Sequence, residues 1–269
     1  MSVDDLLQYD PQATYGAMAL DYDYAQQHYW SFATDIALEM AGLAPGMSVL
    51  DAGCGTGAAT LRAAERVRPN GRVVAVDFAP EMLALASEKA SRRALLNIDW
   101  RLKDLTALEM PAGSVDVVLC LDALFAIADM VALTAALWAL LRPGGRLVVA
   151  TPGRPYLAPL YDAFYDAARA EAPDLTPPRP WQRTDTAERL AAVFDAAHVP
   201  AALSDRTATL PLREPDDWWR VVRATGLSRT ARLLGPEAAA RVAAANLRAI
   251  AADGIDALTT RFLFAVAQK

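Results

Sequence analysis

A chain of 269 residues, with 54% hydrophobic and 22% charged side chains, is long enough to bury a full core, and its composition excludes long disorder. A net charge of −6 and a pI near 5.0, with arginines scattered along the chain, exclude the basic face that tight phosphate-backbone binding needs, so nucleic acid is not an expected partner. Two cysteines and two histidines without ligand-like spacing argue against a metal site and read as reduced thiols and isolated imidazoles of a cytoplasmic protein.

The opening MSVDDLLQYD is acidic and lacks the basic-then-apolar layout of a secretory signal. Residues 1–45 are predicted helical and carry Tyr9, Tyr15, Tyr22, Tyr24, Tyr29, Trp30 and Phe32. From about 47 to 152, short β-branched runs alternate with segments of helical period. SVLDA is predicted as a strand followed by a helix over 57–68, and RVVAVD as a strand followed by the helix PEMLALASEKASRRA. IDWRLKD makes a weaker strand. VDVVLCL makes the next, followed by a helix through Leu141 that RPGG terminates before the strand RLVVATP. The apolar part of that helix, MVALTAALWALL, has 12 residues, too few to span a bilayer, so no membrane insertion is expected.

Past Thr151 an amphipathic helix runs into a proline-rich stretch. DTAERLAAVFDAAHV is a predicted helix with Thr184 or Asp185 as N-cap, and AALSDRTATLPL a predicted strand. PDDWWRVVRATG and PEAAARVAAANLRAIAADG follow as helices, with Pro215 and Pro236 in their first turns, and TTRFLFAVAQ closes the chain as a strand. Strands alternating with helices predict an α/β fold. The expected form is a Rossmann-like seven-stranded sheet, mostly parallel with an antiparallel last strand, with helices on both faces and a helical cap. The expected organisation is a single domain over 1–269. Within it, 1–45 and 153–185 form the cap or lid and 46–152 the cofactor-binding core; 186–269 complete the sheet, with a helical insertion at 213–256.

The stretch VLDAGCGTGAAT places Gly53, Gly55 and Gly57 between the first strand and its helix. Such a turn needs positive φ and no Cβ, and it leaves backbone amides facing outward at the positive end of a helix. Asp77 closes the second strand 20 residues after Gly57, where an acid can accept two hydrogen bonds from a ribose diol. Asp51 precedes the first glycine. Its charge would repel a pyrophosphate and attract an ammonium group, which favours S-adenosylmethionine over a pyridine dinucleotide.

With VVAVDFAPEML, DLTALEMPAGSVDVVLCLDALF and LLRPGGRLVV in the same order and spacing, the chain resembles the class I S-adenosylmethionine-dependent methyltransferases. Within them it resembles the small-molecule branch that includes the ubiquinone and menaquinone C-methyltransferases. The resemblance implies that Asp51 and the backbone of Gly53, Cys54, Gly55 and Gly57 hold the methionine part. It implies Asp77 on the ribose hydroxyls, Phe78 and Met82 against adenine, Asp104 on the adenine amino group and the Leu105 amide on the ring. The backbone at Cys120 would meet the methionine ammonium. Packing in the core is the other reading of Phe78 and Met82, and a solvated turn that of Asp104.

No general base stands out. Related chains often carry a histidine just after the fourth strand, where this one has Phe125 and Ala126. His28 and Asp122 are the candidates, the first also readable as a packing histidine and the second as a helix N-cap. His198 reads as a turn residue. The expected activity is methyl transfer to a small, largely apolar metabolite such as a quinone, phenol or polyketide-like secondary metabolite, leaving S-adenosylhomocysteine. The alternative is a methyltransferase-like protein that binds the donor and catalyses another reaction, such as a cyclisation.

Overall fold

The computed structural model describes residues 11–177 and 179–269, so Tyr9 lies outside the described residues. The strands β1 (Ser48–Ala52), β2 (Arg72–Asp77) and β4 (Val115–Leu121) are near-continuous apolar runs, as a parallel strand covered on both faces requires. β3 (Ile98–Leu102), the weaker strand of the sequence, takes the sheet edge. With β5 (Leu141–Ala158), β6 (Ala202–Pro211) and β7 (Ala257–Gln268), the order is β3-β2-β1-β4-β5-β7-β6.

The pairs β1·β2, β1·β4, β2·β3 and β4·β5 are parallel. β7 runs the other way. The Gly144 amide donates to the Lys269 carbonyl at 2.7 Å and the Lys269 amide to that of Gly145 at 2.9 Å, which sets the end of β7 beside the start of β5. The Leu212 amide donates to the Asp256 carbonyl at 2.8 Å, setting the end of β6 beside the start of β7. The expected sheet with its reversed last strand is thus the observed one.

The helices are α1 (Pro11–Ala25), continued by a π-helical turn at Gln26–Trp30, then α2 (Ser31–Ala41), α3 (Ala58–Arg66), α4 (Pro80–Arg92) and α5 (Met130–Ala139). α6 (Leu160–Glu171), α7 (Ala187–Ala196), α8 (Asp217–Arg223) and α9 (Leu227–Asp253) follow. Pro80 opens α4, with Glu81 in its first turn and Lys89 and Arg92 in its last, each sign opposed to the helix dipole.

Three expected boundaries move. The helix predicted through Leu141 stops at Ala139, because Leu141 already pairs with Val115 and Pro143 cannot continue a helix. α7 is capped by Thr186, whose hydroxyl accepts the Arg189 amide at 3.3 Å, and not by Thr184 or Asp185. Those two are engaged elsewhere: the Thr184 hydroxyl with that of Thr151 at 2.6 Å, the Asp185 carboxylate with Arg189 at 2.6 Å. Pro215 precedes α8 by two residues, whereas Pro236 does start a helical run, after a break in α9 at Gly235 (φ 76°, ψ 166°).

The chain divides into two compact units. One comprises the described residues up to Trp30 with Arg154–Arg179 and Thr207–Arg261, the other Ser31–Gly153, Pro180–Arg206 and Phe262–Lys269. Of the segments expected as a cap, the parts after Trp30 and after Arg179 therefore belong to the second unit. Its core joins Leu50, Val76, Val118 and Val149 of the sheet to Leu133, Leu137 and Phe194 of the helices. In the first unit Asp217, 2% exposed, accepts the hydroxyls of Tyr24 at 2.8 Å and Tyr29 at 3.3 Å. Trp218 donates its indole N–H to Asn246 at 2.9 Å. Among the described residues, no helix is long and apolar enough to cross a membrane.

Candidate functional site

β1 ends at Ala52, and the chain turns into α3 through three glycines at φ 80°, 51° and 85° (Gly53, Gly55, Gly57). At Gly53 the need for glycine is twofold: a Cβ would also lie 2.5 Å from that of Ala123. Gly57 begins α3, and a Cβ there would stand 3.0 Å from that of Ala86 on α4. The loop is pinned to the end of β2. The amides of Gly53 and Cys54 both donate to the Val76 carbonyl at 2.9 Å, and the Gly55 amide donates to Asp77 Oδ2 at 2.8 Å. Gly57 brings no side chain to the start of α3; the Asp51 carboxylate reaches its first turn through Thr60.

Asp77, 6% exposed, is held on both oxygens, since Oδ1 accepts the Ala79 amide at 2.9 Å. Each carboxylate oxygen has a second lone pair, so capacity for a ligand hydroxyl remains. Burial raises its pKa, against the amides of Ala79, Gly55 and Phe78, which stabilise the charge. Asp51 pairs in register with Ala75 and Leu119 and accepts the Thr60 hydroxyl on Oδ2 at 2.5 Å. Burial lifts its carboxyl to about 6, opposed by the Thr60 hydrogen bond and reinforced by the charge of Asp77.

Asp122, just past β4, adopts φ 56° and donates its amide to the Ala150 carbonyl at 2.9 Å. The residue is half-buried, yet its Oδ1 is closed off from solvent with no partner, and burial pushes the carboxyl up to about 7. It is not the cap foreseen as its other reading: the turn Leu124–Ala126 starts from Ala123 without a side-chain bond. Asp51 and Asp122 both act on Cys120, whose thiol burial raises to about 12, and Asp77 acts on Asp51. Three carboxyls thus share one end of the sheet, and an orphaned buried oxygen among them fits a ligand carrying an ammonium group.

The other expected positions divide. Leu105 is buried, and its Cδ1 would lie 3.9 Å from a Cβ on Gly53, so it borders the loop. Asp104 is exposed; its Oδ1 accepts the Thr106 amide and hydroxyl, both at 2.7 Å. Phe78 is half-buried, Met82 only 1% exposed on α4, and the thiols of Cys54 and Cys120 are both raised by burial, which makes them inert. His28 belongs to the first unit, where its Nδ1 lies 2.7 Å from the Tyr24 carbonyl and its ring stacks on that of Tyr24 at 4.3 Å. His198 takes φ 55° in the turn after α7, the position expected for it.

Three contributors escape a reading of the sequence. Thr60 was signalled only by its place in the first turn of α3. Ala123 shows its role only through its fit to Gly53. Arg183 donates to the carbonyls of Phe125 at 3.2 Å, Ile127 at 2.5 Å and Ala128 at 2.7 Å, clamping the segment after Asp122.

Residues 49–145 match the family model described as a methyltransferase domain. The chain is 38% identical over 149 residues to nocamycin O-methyltransferase of Saccharothrix syringae, covering 53% of each chain. It is 31% identical over 162 residues to demethylmenaquinone methyltransferase of Lactococcus lactis, covering 58% of this chain and 63% of the relative. The matches thus span a little over half of these relatives' length. Among solved structures, the YcgJ protein of Bacillus subtilis superposes with a TM-score of 0.57 at 19% identity, over 90% of this chain and 99% of that one, a likeness of fold. The glycine loop pinned between Asp51 and Asp77, on a sheet of this order, lies inside the stretch that matches a methyltransferase domain, and there the chain is similar to class I S-adenosylmethionine-dependent methyltransferases.

Proposed function

We propose that this protein transfers the methyl group of S-adenosylmethionine to a small, largely apolar acceptor by in-line displacement. The observation that carries the reading is the constellation of Asp51, the Gly53–Gly57 backbone, Asp77 and Asp122 at one end of the sheet. Asp77 would take the ribose hydroxyls, and Asp51 with the loop amides the methionine part; Leu105 lies beside the loop to border the adenine. The donor supplies a methyl group on a sulfonium whose positive charge is lost on transfer, which a water-poor site favours.

Asp122 stands as the candidate proton acceptor, because a carboxyl lifted toward neutrality can hold a proton at working pH. The names of the relatives support an apolar acceptor of the quinone, phenol or polyketide kind: one is an O-methyltransferase for nocamycin, another acts on demethylmenaquinone. A soluble cytoplasmic enzyme of secondary metabolism is the setting we propose.

The test is incubation of the purified chain with the donor and a panel of quinones, phenols and polyketides, read by mass spectrometry for products heavier by one methylene. S-adenosylhomocysteine is expected to bind in calorimetry. Binding without any methylated product would favour the non-methylating alternative. Saturation by a pyridine dinucleotide, with no heat from S-adenosylhomocysteine, would overturn the reading.

A further inference from the structure

Within the first unit, α6, the segment after it and α9 enclose a cavity of about 220 Å³. Its walls are apolar where Pro173, Leu175 and Pro177 contribute, and aromatic at Tyr165, which is 4% exposed. Two features of this cavity have no use in packing alone.

The first is Arg179. Its guanidinium carbon lies 3.7 Å above the centre of the Tyr165 ring and 5.9 Å from that of Tyr161. Among the described residues no carboxylate pairs with it. On α6, Asp166 is committed to Arg169 and Glu171 to Arg241, and Asp174, between the lining residues Pro173 and Leu175, makes no ion pair with Arg179. A guanidinium stacked on a ring is oriented by that contact and keeps its N–H edge free for a planar anion.

The second is Thr230, on α9 and 1% exposed, whose hydroxyl is buried without a partner. A helical threonine ordinarily returns this bond to a carbonyl of the preceding turn, and an unmade one is costly. Thr230 lines the same cavity as Arg179.

We propose that this cavity binds a short-chain carboxylate, with Arg179 pairing to the carboxylate, Thr230 completing its hydrogen bonds, and the prolines and Leu175 covering the apolar body. One unpaired guanidinium and one neutral hydroxyl match a single negative charge. A phosphate would bring up to two charges and more acceptor oxygens than these groups can satisfy. The second arginine at the rim, Arg169, is already paired with Asp166.

Calorimetry on the full chain with hexanoate tests this, with hexanol, hexylamine and inorganic phosphate as controls. Hexanoate should bind about tenfold or more tighter than hexanol, the ratio one charge-assisted bond supplies. Arg179→Gln should abolish that preference. Thr230→Val should weaken hexanoate and, without ligand, raise the melting temperature, since it removes an unsatisfied hydroxyl while keeping the shape; a purely structural threonine would give the opposite sign. Equal binding of hexanol and hexanoate, tighter binding of phosphate, or wild-type affinity in both variants overturns the proposal. The site does not rest on the methyl-transfer reading, so hexanoate must still bind Asp77→Ala. Loss of binding there would overturn an independent site.

Discussion

The carboxylate of Asp77 accepts the amide of Gly55 at 2.8 Å, tying the end of β2 to the middle of the glycine loop that follows β1. One side chain thereby shapes the loop and offers its remaining lone pairs to a ligand. Asp77→Ala removes both functions. The affinity for S-adenosylhomocysteine should fall by about 2–4 kcal/mol, the worth of two hydrogen bonds to a charged group. Unchanged calorimetric affinity would contradict the assignment.

Gly53→Ala places a methyl group 2.5 Å from the Ala123 Cβ at a φ of 80°. Both the overlap and the left-handed backbone count against it, for a total of about 2–4 kcal/mol in urea denaturation. Ala123→Gly in the same chain should recover the part owed to overlap and leave about 1 kcal/mol owed to the backbone. No recovery in the double variant would show that the two residues do not meet.

Asp122 makes stability depend on pH. Its carboxyl rises from 3.8 to about 7 on folding, so between those values the folded state holds more protons than the unfolded one. This contribution is complete below the unfolded value and is lost as pH rises through the folded value. Asp122→Asn should therefore be more stable than the parent at pH 8, on the order of 2 kcal/mol, and lose that advantage by pH 4. Chemical denaturation without ligand checks it, and a difference that does not change with pH would rule it out.

Thr60→Val deletes the bond that partly offsets the burial of Asp51, whose carboxyl already stands at about 6. The carboxyl should move further up. The acid limb of S-adenosylhomocysteine affinity would then shift to higher pH, with about 1 kcal/mol lost near neutrality. Titration between pH 5 and 8 measures it, and superimposable profiles would exclude a role for Thr60 through Asp51.

Arg183 holds three carbonyls of the segment after Asp122. Arg183→Met leaves those oxygens without their charged donor and should cost about 2–4 kcal/mol of stability, with a further drop in S-adenosylhomocysteine affinity. Loss of stability alone, with affinity retained, would limit its role to folding.

Much of the site was legible because its signals are local. Glycines clustered in a tight strand-to-helix turn favour positive φ, and Gly53, Gly55 and Gly57 sit at 80°, 51° and 85° here. Asp77 at the end of an apolar run, and His198 in a turn, were readable for the same reason. Thr184 and Asp185 were not, because either has the chemistry of an N-cap and only their partners Thr151 and Arg189 remove them from that role. Leu141 failed likewise: its apolar period continues the helix, and its pairing with Val115 makes it strand.

By itself, then, the sequence determined the alternation of strands and helices, the turn from β1 into α3 and the acids that flank it, since backbone preference and hydrophobic period act over a few residues. Tertiary structure alone decided which of those acids lie together out of water. It closed Asp122 Oδ1 away without a partner, aimed Thr60 at Asp51 and set Arg179 on the Tyr165 ring. Burial and charge depend on neighbours distant along the chain, and no local pattern encodes them.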